Sequence, residues 1–250
     1  MFFTETAILT GRSLKHITRS LDSIVTTAIT PIAIMLMFVY VFGGAIDTGP
    51  VKYVDYMLPG ILLITVASGV AYTAVRLYTD LSSGIFERFQ SMPISRSAVL
   101  WAHVLTSMVA NLISLALVVL VAVLIGFRSG ADLLQWLAVI GILALFTLAV
   151  TWIAVIPGLA AQSVDGASAF AFPLIFLPFI SSAFVPTEGM PGPLRAFAEN
   201  QPVTSIVDTV RALLGGQAAG DDIWVALAWC VGVLVIAWAF AGRNYRRRIG

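Results

Sequence analysis

Few side chains in this 250-residue chain are placed to do covalent chemistry. His16 and His103 stand alone, with no His, Cys or carboxylate cluster at metal-ligand spacing. Cys230 is the single cysteine; it can close no disulfide within the chain, and in an apolar run it reads as a small packing residue. The phosphate-cradling pattern Gly-x-x-x-x-Gly-Lys-Ser/Thr is absent, so any nucleotide is bound elsewhere. The apolar stretches hold Ser and Thr without a matching His or carboxylate to activate them. What remains is the chemistry of contact: Asp208 and Arg211, three apart and able to pair on one helix face, and a run at 85–93 in which an apolar stripe lies beside a few polar groups.

The elements that must carry these residues belong in a membrane. Apolar residues make up 59% of the chain and charged residues 11%, against about 45–50% and about 25% in soluble domains. The net charge is +1 with the 14 Lys and Arg in small groups, so no basic face suggests nucleic acid. Charge near the bilayer centre is costly, so charge-free windows map the membrane segments. Six windows of 20 or more residues, 23–46, 56–75, 97–127, 133–164, 166–187 and 223–242, give approximate spans at 23–46, 56–78, 98–127, 133–160, 166–187 and 223–242. Pro173, Pro178 and Pro186 should kink the fifth. His103 and Asn111 are the polar groups left in the third, where Asn111 can bond across helices or act as packing glue. With six full-length windows free of Asp, Glu, Lys and Arg, a driven pump fits better than a proton-coupled carrier.

Lys and Arg orient the chain. Ten of the 14 fall on the side of both termini: Arg12, Lys15 and Arg19, then Arg76, Arg88 and Arg96, then Arg243, Arg246, Arg247 and Arg248. Lys52, Arg128, Arg195 and Arg211 fall on the other. Both termini are therefore expected in the cytoplasm, with Trp101, Trp136 and Trp224 near span ends. The first 22 residues lack the apolar core and cleavage site of a secretory signal.

Three segments are not spans. In 1–22, Leu14, Ile17 and Leu21 recur at helical spacing opposite Arg12, Lys15 and Arg19, which reads as an interfacial helix or, more simply, as an orienting positive flank. In 80–96, Ile85, Phe86, Phe89 and Met92 form an apolar stripe beside Glu87, Arg88 and Gln90 until Pro93 stops the helix. Such a stripe in the cytoplasm is covered by a partner protein, or lies on its own bundle or on lipid. The outer connection 188–222 is broken by Pro191, Pro193 and Pro202. Within it Ser205-x-x-Asp208 has the form of a helix start, Ile206, Val210, Leu213 and Leu214 form an apolar face, and Gly215-Gly216 a stop. That helix reaches only half the bilayer, so it should be re-entrant or lie flat.

Two stretches resemble the ATP-binding-cassette type-two permeases, and among them the daunorubicin and doxorubicin resistance class of drug exporters. The first is Arg88-Phe89-x-Ser91-x-Pro93-x-Ser95-Arg96. The second runs from Leu177-Pro178-Phe179 through Phe184-Val185-Pro186, Met190-Pro191, Leu194-Arg195 and Asn200-Gln201-Pro202 to Asp208 and Arg211. Ser182-Ala183 stands where the family often has Ser-Gly, a departure that bears on local helix packing. The resemblance implies an all-α polytopic membrane protein, a single permease domain over 1–250, that dimerises with an identical or related chain. Each half would sit on a separate ABC ATPase subunit that holds ATP and Mg, with no cofactor on this chain. Ile85, Phe86, Glu87, Arg88, Phe89, Gln90, Ser91, Met92 and Pro93 would form the coupling helix that meets this ATPase, and 1–22 the connecting helix. The outer segment would close the extracellular mouth, with Pro186, Met190, Pro191, Arg195, Asp208 and Arg211 as gate residues. The implied activity is export of amphiphilic drugs across the bacterial plasma membrane, with lipid or glycolipid as the competing cargo; a secondary transporter, a channel and a membrane-embedded enzyme are the rival classes.

Overall fold

The computed structural model describes residues 21–46, 48–83 and 96–249. The expectations for 1–20 and for the coupling stretch, Ile85 to Pro93, lie outside the described residues. The described chain is helical. It opens with α1 (Leu21–Met37), which carries Pro31 and continues as a π-helical turn, Phe38–Phe42. Four long helices follow: α2 (Tyr53–Ser82), α3 (Arg96–Leu124), α4 (Leu133–Ala160) and, at the end, α9 (Asp222–Ile249). Between α4 and α9 come α5 (Val164–Ser168), α6 (Ala171–Phe176), α7 (Gly192–Asn200) and α8 (Pro202–Leu214).

The four long helices contain the stretches long and apolar enough to cross a membrane: Tyr53–Ser82, Leu100–Leu124, Leu133–Ala160 and Asp222–Arg243. Thr27–Phe42 and Val164–Ile180, where the first and fifth spans are expected, are apolar but shorter. At 1.5 Å per residue they reach about 25 Å, less than the hydrocarbon thickness of about 30 Å. The fifth is broken as well as short. Ser163 Oγ accepts the Gly166 N–H to start α5, α6 follows a turn, and the chain tightens to a 3₁₀ turn at Leu177–Ile180 around Pro178. Its helical part ends there, short of 187, and Ser181 is extended.

The centre of the bundle is α2. Met57, Leu58, Ile61, Ile64, Val66 and Val70 are fully buried, as expected of a helix apolar on every side. Around it pack α1, α3, α4, the broken fifth segment and α8, while α9 lies along α4 and α8. Close approach is written in glycine: a Cβ at Gly158 of α4 would lie 3.1 Å from the Ala74 carbonyl oxygen of α2. Asp132 and Gln135 form a reciprocal capping box that starts α4.

Candidate functional site: a clasp at one end of the bundle

The charged pair expected at 208 and 211 sits on α8. This helix starts at Pro202, three residues before the Ser205 expected from the Ser-x-x-Asp pattern. Proline pre-sets the φ of a first helical residue and has no N–H there to leave orphaned, so Pro202 takes the start. Asp208 is thereby released from capping, and its carboxylate turns to other partners. The apolar face is as expected, with Ile206, Val210, Leu213 and Leu214 buried together with Val203 and Val207. The helix ends at Gly215, followed by Gly216 at φ +74°; a Cβ at Gly216 would also lie 2.6 Å from the Gly130 carbonyl oxygen.

Arg211 ties three elements together. Its Nη1 donates to Asp208 Oδ1 at 2.5 Å, its Nε to the Tyr56 carbonyl oxygen of α2 at 3.0 Å, and its Nη2 to the Ser182 carbonyl oxygen at 2.6 Å. The guanidinium also lies over the Tyr56 ring, 3.9 Å from its centroid. Ser182 closes the circuit by donating from Oγ to Asp208 Oδ1 at 2.6 Å. One planar cation thus satisfies carbonyls that the non-helical stretch after Ile180 would leave orphaned. Tyr53 adds a further bond, its hydroxyl donating to the Phe184 carbonyl oxygen at 3.1 Å. Gln201 does the same for the 3₁₀ turn, Nε2 donating to the Ile180 carbonyl oxygen at 2.7 Å.

Packing seals the same joint. Ala183 is fully buried, and a Cβ at Gly60 of α2 would lie 2.6 Å from its methyl. Ser182-Ala183 carries one methyl more than the Ser-Gly that the resemblance leads one to expect, and the space for it comes from Gly60 on the facing helix. Phe179 and Phe184 stack at 4.8 Å, and Phe38 of the π turn lies 4.9 Å from Phe184. The loop before α4 closes over the C-terminal end of α8: Gly130 N–H and Ser129 Oγ both donate to the Leu214 carbonyl oxygen, and Arg128 N–H donates to Asp55 Oδ1 at 3.3 Å.

Of the six expected gate residues, Asp208 and Arg211 are joined in this clasp. Pro186 precedes the 3₁₀ turn Thr187–Gly189, Met190 follows it, and Pro191 precedes α7. Arg195 forms a separate exposed pair on α7, Nε to Glu199 Oε1 at 2.7 Å, and the same oxygen accepts from Thr187 Oγ1 at 3.2 Å. The Arg195 hydrogen bond holds the Glu199 carboxyl below its usual range. Tyr53, Tyr56, Ser182 and Gln201 are clasp members to which sequence reasoning gave no role; the available signal was a lone arginine on a short helix with several donors to satisfy. Among the described residues no group of three or more His, Cys, Asp or Glu is placed to hold a metal. The arrangement braces a helix break against the central helix, which is mechanical work.

Comparison with known proteins gives this geometry a family. The chain matches the model of the ABC-2 type transporter family over residues 4–214. It is similar to a daunorubicin resistance ABC transporter permease protein of Streptomyces coeruleorubidus, 29% identical over 237 residues that cover 94% of this chain and 83% of the relative. It is also similar to a probable doxorubicin resistance ABC transporter permease protein of Mycobacterium tuberculosis, 25% identical over 258 residues that cover 99% and 90% of the two chains.

Proposed function

The chain belongs to the ABC-2 type transporter family, and from that membership we propose that it is the transmembrane subunit of an ATP-driven exporter that moves amphiphilic drugs or lipids outward across the bacterial plasma membrane. The observation that carries this reading is the near full-length similarity to permeases of drug-resistance transporters. Energy comes from a separate ABC ATPase subunit, which holds ATP and Mg. Two permease chains, identical or related, form the translocating unit, with membrane lipid around them. Each chain crosses the membrane six times with both termini in the cytoplasm, the stretches Thr27–Phe42 and Val164–Ile180 being the two short spans. This topology is supported by the Lys and Arg distribution, with Asp222–Arg243 ending at the first of four arginines, Arg243, Arg246, Arg247 and Arg248.

The residues then divide by task. The coupling helix, Ile85 to Pro93, meets the ATPase, and Phe89, Met92 and Glu87 make contacts that differ between its open and closed states; without that difference ATP could move nothing. At the other end the Asp208–Arg211–Ser182 clasp holds the outer mouth shut by fastening the broken fifth segment to α2. Opening needs these bonds to exchange partners as bundles of helices shift. Co-purification of the ATPase subunit with the full chain, before and after Phe89→Ala and Glu87→Arg, tests the assignment. Weaker attachment or slower substrate-stimulated ATP turnover is expected in both variants. Full attachment and turnover in both would contradict it.

A further inference from the structure

Helices α2 and α3 leave toward the same connection, residues 84–95, and along the half of their contact nearest it they are stitched by polar groups. The register is antiparallel. Gly69 faces Asn111: a Cβ at 69 would lie 2.1 Å from Asn111 Oδ1. One turn on, Thr73 Oγ1 donates to Ser107 Oγ at 2.6 Å, both residues buried. At the end nearest the connection, His103 lies between Arg76 and Asp80, its Nδ1 3.5 Å from Arg76 Nη2 and its Nε2 3.3 Å from Asp80 Oδ2.

The triad fixes its own tautomer. A guanidinium can only donate, so Nδ1 accepts, and the imidazole proton sits on Nε2 facing the carboxylate. A neutral ring between one cation and one anion leaves the triad with no net charge. Asn111 completes the pattern at the far end. Its Nδ2 donates to the Ser107 carbonyl oxygen of its own helix at 3.0 Å, while its buried Oδ1 has no N–H or O–H donor among the described residues. What faces Oδ1 is the Gly69 hydrogen in the Cβ position, a weak C–H···O contact that a side chain would abolish. Beyond Asn111 the same helix keeps one buried hydroxyl, Ser114, and is then apolar toward the core, with Leu115, Val118 and Ala122 buried.

Apolar faces can slide past each other at little cost, whereas a shifted polar seam in a water-free interior leaves donors and acceptors unpaired. We infer that this seam locks α2 and α3 into one lever that carries a push from the 84–95 connection to the rest of the bundle, making Asp80, His103, Thr73 and Ser107 positioning residues for export. This rests on the exporter reading above. The lever is continuous with the clasp, since α2 carries the seam at one end and Tyr56 at the other.

The test uses the full chain with its ATPase subunit in liposomes, with spin labels at the exposed positions Ala45→Cys, after the π turn, and Ala218→Cys, after α8. Three quantities are read: attachment of the ATPase, its ATP hydrolysis, and the change in label distance on trapping with ATP and vanadate. In Asp80→Asn and in Thr73→Val, attachment should persist and hydrolysis stay within about twofold, while the fraction of molecules undergoing the distance change falls about tenfold, as for loss of coupling between sites. Asp80→Glu should restore most of it. An unchanged distance response in both variants would overturn the inference, as would loss of attachment and response together in step with a lowered melting temperature, which would mark the seam as ordinary packing. If the unaltered chain binds no ATPase subunit, the exporter reading itself fails, and the seam inference falls with it.

Discussion

The two ends of α2 are both held by polar groups, but in opposite ways. At the Tyr56 end the partners come from distant parts of the chain: Arg211 reaches a carbonyl 155 residues away and another 29 residues away. The groups are partly exposed, and a cation and an anion sit face to face. At the Asp80 end the partners belong to the adjacent helix; Thr73, Ser107 and His103 are buried while Asp80 is partly exposed, and a neutral ring lies between the charges. Partly hydrated ionic bonds between distant segments can exchange with water and part, while a short neutral bond buried between neighbours, such as Thr73 to Ser107, cannot without leaving orphans. The comparison therefore separates a joint suited to opening from one suited to holding.

The sharpest way to break that contrast is Arg211→Ala. It removes bonds to Asp208, Tyr56 and Ser182 at once and should destabilise the chain in detergent by about 3 kcal/mol, read as a fall in melting temperature. Arg211→Lys should recover less than half, because a lysine cannot fork to three acceptors. A lysine variant as stable as the parent would reduce the clasp to a point charge. Next in size is Gly69→Ala, which forces a methyl onto Asn111 Oδ1 and should cost about 2 kcal/mol. Adding Asn111→Ala should return part of that loss; a double variant no better than the single one would deny the contact.

A smaller effect, about 1 kcal/mol, is expected for Ser182→Ala, since Asp208 keeps Arg211 while losing the hydroxyl. Its melting temperature should therefore fall by less than that of Arg211→Ala, and the reverse order would put the serine at the centre of the clasp. Smallest of all is Glu199→Gln on the exposed face of α7. Because the folded carboxyl titrates below its usual range, the Arg195 pair helps above the unfolded pKa and fades as pH falls through the folded one. Being solvent-exposed it is screened, so unfolding of parent and variant should coincide at neutral pH in physiological salt. A clear gap there would bring α7 into the clasp.

How much of this was legible in the sequence follows from the reach of each interaction. Asp208 and Arg211 are three apart on one helix, and their pairing is a local matter. The carbonyls of Tyr56 and Ser182 carry no side-chain signature, and nothing local says that a guanidinium will meet them. Pro178 signalled trouble in the fifth segment, yet proline alone does not tell a kink from an end, and the end at Ile180 depends on Gln201 being there to take the carbonyls. The start of α8 was misplaced because Ser205 resembles a cap while Pro202 is one of the few residues that suits a first turn better. The seam was half visible: His103 and Asn111 stood out as polar groups in an apolar span. Arg76 and Asp80 fell just past the edge of a window chosen for lacking charge, so the triad they make with His103 was divided between two readings.

The central claim is that force enters this chain from a separate ATPase and leaves as opening of the clasp. The most direct measurement is the rate at which a membrane-impermeant maleimide labels Ser182→Cys from outside intact cells, compared between an active and an inactivated ATPase subunit. The account predicts labelling that is slow with the inactive subunit and several times faster during turnover. Equal rates in the two, or labelling only from the cytoplasmic side in inverted vesicles, would contradict it.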